Sequence, residues 1–198
     1  MSWTLEQFRS FLSEKLLEKD LNSVMQEIER MQRGDALIVG HHEDALLQGD
    51  VYDGVPLITR GPPPRVDPRR VLLISNSCDS SPENARAVPL DLIFAPLLRM
   101  SRYRQMLLDN GVAQPRVEST LTAIKQQRTT SVVYLPAGGG LQEDMVVLLD
   151  KVQSLPFSEF NAAAPARLAV LTQRGFWVLL IKLSMHFLRP HEGVPRAA

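Results

Sequence analysis

Arg69-Arg70-Val71-Leu72-Leu73-Ile74-Ser75-Asn76-Ser77-Cys78-Asp79 is the stretch on which the reading of this chain turns. Four aliphatic residues in a row, with charge in front and small polar residues behind, describe a strand buried on both faces. Such a strand belongs at the centre of a sheet. Its two ends carry the densest group of reactive side chains in the protein: two guanidiniums at the entry, and two hydroxyls, an amide, the sole thiol and a carboxylate at the exit. Any chemistry is expected there.

The bulk composition limits what surrounds that strand. A chain of 198 residues with 44% hydrophobic and 22% charged residues can bury a core as one domain of ordinary size. Lys plus Arg equals Asp plus Glu at 22 each, so no global field draws the protein to nucleic acid or to an anionic membrane. One cysteine excludes an internal disulfide and a thiol-only metal site, which fits a reducing, cytoplasmic setting. Charged residues run through positions 1 to 20, which leaves no signal-peptide core. The apolar window Leu168 to Leu188 is interrupted by Arg167, Gln173, Arg174, Lys182 and His186 at helical intervals, so a packed helix is expected and no membrane span.

On the amino side, apolar residues recur by threes and fours from Leu5 to Met31, which predicts an amphipathic helical segment over residues 1–34, capped at Thr4 and ended at Gly34-Asp35. It either packs on the domain or serves as a docking arm. Strands follow over Ala36 to Val39 and Val51 to Ile58. His41 and His42 point to opposite faces of an extended chain and make poor co-ligands, so neither a metal nor a cofactor is expected. Gly61-Pro62-Pro63-Pro64 is a stiff loop that cannot enter a sheet interior.

On the carboxyl side, Ser80 to Ala87 reads as a loop. Leu90 to Leu98 reads as a strand that Pro96 marks as an edge or a strand end. Helices are predicted over Arg99 to Asp109 and Val117 to Arg128. Ser131 to Leu135 is a strand, Gly138-Gly139-Gly140 a hairpin turn without the Lys-Ser/Thr of a phosphate loop, and Met145 to Leu155 a strand pair or one bent strand closed by Pro156. Leu168 to Leu171 makes a last strand, and Thr172 caps a final helix to about Leu188 that Pro190 stops. About five or six short strands with few helices between them imply an α+β protein built on a small antiparallel barrel. The barrel region is taken as 35–189, with a helical insertion at about 99–130 and a loose tail at 190–198.

Three separated stretches together resemble the PemK/MazF family of toxin barrels, the messenger-RNA interferases of type II toxin–antitoxin systems. Gly49-Asp50-Val51-Tyr52 stands about twenty residues ahead of Arg69-Arg70-Val71-Leu72-Leu73-Ile74-Ser75, Phe94-Ala95-Pro96-Leu97-Leu98 follows, and Val146 to Leu155 is similar to a later strand of the family. The resemblance implies an SH3-like barrel, a possible homodimer, a protein partner such as an antitoxin or complex subunit, and metal-independent cleavage of single-stranded RNA. Its catalytic arginine falls on Arg69. Its threonine position falls on Leu97 or Leu98, so the phosphate-orienting hydroxyl is sought at Ser75, Ser77 or Ser101. Arg65, Arg70, Asn76, Cys78 and Asp79 complete the expected substrate surface.

Two rival readings stand beside that one. The barrel can be a catalytically degenerate subunit of a bacterial defence complex that binds a protein or nucleic acid. Alternatively, Cys78 and Asp79 can centre a small-ligand site. No histidine lies near Cys78 in sequence, and Asp79 would raise its thiol pKa, which disfavours a nucleophile.

Overall fold

A computed structural model describes residues 36–40, 45–59, 61–80 and 88–187, without the side chains of Cys78 and Asp79. The expected amino-terminal helical segment, His41 and His42, most of the 80–87 loop, and the 190–198 tail lie outside the described residues.

The architecture is α+β. Eight strands form one antiparallel sheet: β1 (Ile38–Val39), β2 (Val51–Thr59), β3 (Arg65–Leu73), β4 (Asp91–Arg99), β5 (Val132–Leu135), β6 (Met145–Leu148), β7 (Gln153–Pro156) and β8 (Ala166–Leu171). Their spatial order is β1-β8-β2-β3-β4-β6-β5, with β7 also paired to β4. Helices α1 (Ser77–Ser80), α2 (Met100–Asp109), α3 (Gln114–Lys125), α4 (Phe157–Ala163) and α5 (Gln173–Phe187) connect and flank the strands. Eight strands are more than the five or six expected in total, although each lies in a stretch read as strand: residues 145–156 form the strand pair, divided at the 3-10 turn Leu149–Lys151, and the strand expected over Ala36 to Val39 shortens to the two-residue β1.

The quoted stretch supplies the buried end of a central strand, but β3 begins at Arg65 and ends at Leu73, so Arg69 and Arg70 are mid-strand rather than at its entry, and Ile74 lies just past its end, partly buried. Val71, Leu72 and Leu73 are fully buried. Because side chains alternate across a strand, Leu72 enters one core with Val51, Ala95, Val133, Val147 and Leu179, while Val71 and Leu73 enter a second with Tyr52, Val55, Phe94 and Phe160. Phe94 stacks on Phe160 at 5.5 Å, and Tyr52 meets the same ring edge-on at 5.2 Å. A third, smaller core joins Met100, Val117, Leu121 and Ile124 of the inserted helices to Val132 and Val146.

Pro96 departs from its expected place. It lies inside the central strand β4, opposite Val71. The strand changes partner there: residues 91–94 pair with β7, whereas residues 97–99 pair with β6. No neighbour on that side requires an N–H at position 96, so the missing donor costs nothing. Helix α4 was not anticipated, and α3 begins at Gln114 rather than Val117, with its proline in the first turn, where the absent N–H is harmless. The last helix follows its expectation, with Gly175 N–H donating to the Thr172 hydroxyl at 3.1 Å.

Two glutamine amides take the place of missing strand neighbours. Gln153 on β7 bonds both backbone groups of Ile58, which brings β7 back beside β2 and closes a small barrel-like ring of β2, β3, β4 and β7. Gln127, just beyond α3, does the same to Tyr134 on the outer strand β5. Paired groups on an edge are unavailable to another chain.

Candidate functional site

The residues singled out from the sequence fall into separate neighbourhoods. Arg69 lies in the projecting part of the β2–β3 hairpin, where its Nη2 donates to Thr59 Oγ1 at 2.9 Å and to Asp67 Oδ2 at 3.0 Å. Thr59 also donates to Asp67 Oδ2, at 2.8 Å. The Thr59 hydrogen bond, followed by the Arg69 charge, holds the Asp67 carboxyl below the usual range. Arg65 is exposed opposite Thr59. Arg70 points to the other face of the strand, and its Nε meets Asp53 Oδ2 at 3.2 Å.

The hydroxyls lie elsewhere. Ser75 Oγ accepts from Ile93 N–H at 2.7 Å, and Ser77 Oγ accepts from Gln48 N–H at 2.8 Å, while the Gln48 amide donates to Ile74 O at 2.7 Å. Both serines bind the exit of β3 to its surroundings. Asn76 O receives Ser80 N–H and the Ser80 hydroxyl, each at 2.9 Å, which closes the single turn of α1. Cys78 and Asp79 belong to that turn. Six steps of nearly extended chain lead from Arg69 to Ser75, about 20 Å at the usual rise. Ser101 is at a third place, donating to Glu143 Oε2 at 3.1 Å, where Arg99 also reaches Glu143. Arg69 is therefore not brought together with Ser75, Ser77 or Ser101.

What does join Arg69 is Thr59, a hydroxyl the sequence reading passed over. The signal was available: in a β2–β3 hairpin, Thr59 sits close to the turn and shares a face with the odd-numbered residues of β3.

A second constellation was missed altogether. Asp50 is fully buried at the entry to β2, and its Oδ2 accepts from Leu47 N–H at 3.1 Å and from the Tyr52 hydroxyl at 3.2 Å. Arg167 on β8 brings its Nε to 3.4 Å from the same oxygen and donates to Tyr52 Oη at 3.1 Å, while its Nη2 holds Ala45 O at 2.8 Å. Its guanidinium also lies 5.6 Å from the Tyr52 ring centroid. Burial, reinforced by the Asp50 charge, pushes the Tyr52 phenol up to about 12. Outside this centre opens a cleft of about 390 Å³ between Leu46, Tyr52, Phe160, Asn161 and Arg167. A carboxylate directly before a buried strand was the sequence signal, although its partner lies at the far end of the chain.

The Asp50 centre is built for rigidity. Gly49 precedes it with φ of 96°, and a Cβ there would approach Leu171 to 2.3 Å, so glycine is required for both conformation and space. Among the described residues, no cluster of His, Cys, Asp or Glu could hold a metal ion, and no helix is long and apolar enough to cross a membrane. Neither a family model nor a curated protein matches the chain.

Proposed function

We propose that the chain is a PemK/MazF-like barrel that binds a protein partner and does not cleave RNA. One observation carries this reading: Arg69 sits in the middle of β3 and is held by Asp67, whereas Ser75 and Ser77 lie beyond the carboxyl end of that strand and hold backbone N–H groups. Phosphate binding by Arg69 would place an anion beside that carboxylate, which works against it electrostatically.

The hairpin also supports a protein partner. On its even-numbered face Pro56 stands opposite Pro68 and Ile58 opposite Val66, with Ile58 56% and Val66 66% exposed. Arg70 follows this apolar ladder on the same face. A partner presenting apolar side chains beside carboxylates would complement it. The prolines and the Gln153 amide blunt the strand edges, so recognition would use the face of the hairpin rather than an added strand.

A second reading, metal-independent cleavage of single-stranded RNA, draws on the Arg69–Thr59 contact at 2.9 Å, which supplies an arginine beside a hydroxyl. One experiment separates the two. The purified full chain and Arg69→Ala are incubated with defined single-stranded RNA, and Ile58→Asp/Val66→Asp is compared with wild type by native size analysis from the source cells. The binding reading expects intact RNA in both samples, and loss of a larger complex for the hairpin variant. Cleavage by wild type that Arg69→Ala abolishes would overturn it.

A further inference from the structure

The cleft of about 390 Å³ beside the Asp50 centre lies within the size range of small-molecule sites. Four segments far apart in sequence build it: Leu46 ahead of β2, Tyr52 on β2, Phe160 and Asn161 at α4, and Arg167 on β8. Its base is aromatic and fixed. Tyr52 and Phe160 are both buried and meet edge-on, and Leu46 packs against the same core. Tyr52 faces away from the apolar ladder of the hairpin, since it shares the second core with Val55 and Leu57 while Pro56 and Ile58 alternate to the other side. The cleft is therefore separate from the surface assigned to a protein partner.

The charge that meets the cleft is positive. Asp50 is fully buried and takes no part in the lining, whereas its partner Arg167 forms part of the wall. The ion pair thus turns its cationic member outward. Among the described residues of the lining none is acidic, and the exposed Asn161 amide adds a donor and an acceptor at the rim. Arg167 donates to Tyr52 Oη at 3.1 Å and to Ala45 O at 2.8 Å, so its guanidinium is oriented before any ligand arrives. Ala164 closes the rim in the left-handed region, at φ of 43°, a conformation that costs a residue with a Cβ and that recurs at ligand clamps.

We infer that this cleft binds a small aromatic carboxylate, with its ring among Leu46, Phe160 and Pro165 and its carboxylate against Arg167. A flat ring suits a floor made by the Tyr52 and Phe160 rings. The acid group follows from the sign of the lining. A cation would be repelled by the Arg167 guanidinium, and a wholly apolar molecule would cover that guanidinium with hydrocarbon and strip it of water. A carboxylate instead meets it with a charge-assisted hydrogen bond.

The test is titration calorimetry of the full chain with cinnamate and with indole-3-acetate, each against its neutral amide. At least one acid should bind saturably, one molecule per chain, in the submillimolar range expected of so small a ligand. Its amide should bind at least about tenfold more weakly, a comparison that leaves Asp50 and Arg167 untouched. Asn161→Trp, a change at an exposed position, fills the mouth of the cleft and should abolish binding while the melting temperature stays near that of wild type. Failure of both acids to bind would overturn the inference. Equal affinity for acid and amide would also overturn it, because the guanidinium would then play no part, as would wild-type affinity in Asn161→Trp, which would move the site elsewhere.

Discussion

Gln153 and Ile58, on strands that share no backbone pairing, are joined by two hydrogen bonds of 2.9 Å: Ile58 N–H donates to Gln153 Oε1, and Gln153 Nε2 donates to Ile58 O. A side-chain amide carries a donor and an acceptor on separate atoms, so it can answer both backbone functions at once. Gln153→Ala should therefore cost about 1–2 kcal/mol. Gln153→Glu should cost nearly as much, because a carboxylate cannot donate to the Ile58 carbonyl and would face it with like charge. Urea midpoints of the three proteins check this, and a Gln153→Glu midpoint equal to wild type would show that the pairing contributes nothing.

Asp50 and Tyr52 contribute unequally to the centre they share. Asp50→Ala strips a buried carboxylate from beside the Arg167 guanidinium, whose side chain is 15% exposed, and leaves that charge in a poorly solvated position. The expected loss is about 3–5 kcal/mol. Tyr52→Phe keeps the ring packed on Phe160 and removes only the hydroxyl, for about 1 kcal/mol. Calorimetric melting of both variants should rank them in that order; the reverse order would mean that the phenol, rather than the carboxylate, organises the entry to β2.

Local pattern made much of this fold legible. The aliphatic run at Val71 to Leu73 signals burial on two faces wherever it occurs, and the two cores on either side of β3 are its consequence. Thr172 as a cap and the glycines near Gly138 as a hairpin turn follow from the same local rules. Pro96 was misread because the rule against proline in central strands assumes one neighbour per side, whereas β4 changes neighbours at that residue. The site was less legible because closeness along a strand is not closeness in space. Arg69 and Ser75 are near in sequence, but Arg69 sits in the middle of β3 and Ser75 beyond its carboxyl end, about 20 Å away along nearly extended chain. Asp50 and Arg167 are far apart in sequence and share one oxygen through the β2–β8 pairing.

Lys182 and Tyr52 give folding stability an alkaline maximum. The Lys182 amine, buried on α5, donates to the carbonyls of Gln127 and Thr129, and burial lowers its pKa from 10.5 to about 8. Below pH 8 both folded and unfolded chains hold that proton, and the burial cost stands in full. Between about 8 and 10.5 only the unfolded chain holds it, so stability rises with pH, by up to about 3 kcal/mol. Above pH 10 the sign reverses. The folded Tyr52 phenol keeps its proton to about 12 while the unfolded one loses it, and Tyr134, raised to about 12 by burial and then Asp144, adds in the same direction. Urea unfolding from pH 7 to 12 should show a maximum near pH 10. Lys182→Met should remove the rise below it, and a wild-type profile that falls steadily from pH 8 would contradict the assignment.

Gln127 is held in the left-handed region at φ of 57° while its amide serves both backbone groups of Tyr134, donating to O at 2.7 Å and accepting N–H at 3.1 Å. Backbone and side chain thus pull on this position in opposite senses. Gln127→Gly relieves the conformational cost and loses the pairing; Gln127→Ala loses the pairing and keeps the cost. Alanine should be the worse of the two by about 1 kcal/mol, the usual penalty for a Cβ at positive φ. Both variants uncover the edge of β5, so both should aggregate faster than wild type under mildly destabilising conditions, and faster than any difference in midpoint explains. Light scattering at matched fractional unfolding isolates that effect. Equal aggregation rates at matched unfolding would mean that the amide stabilises β5 without shielding it, and that other parts of the chain keep its backbone from pairing.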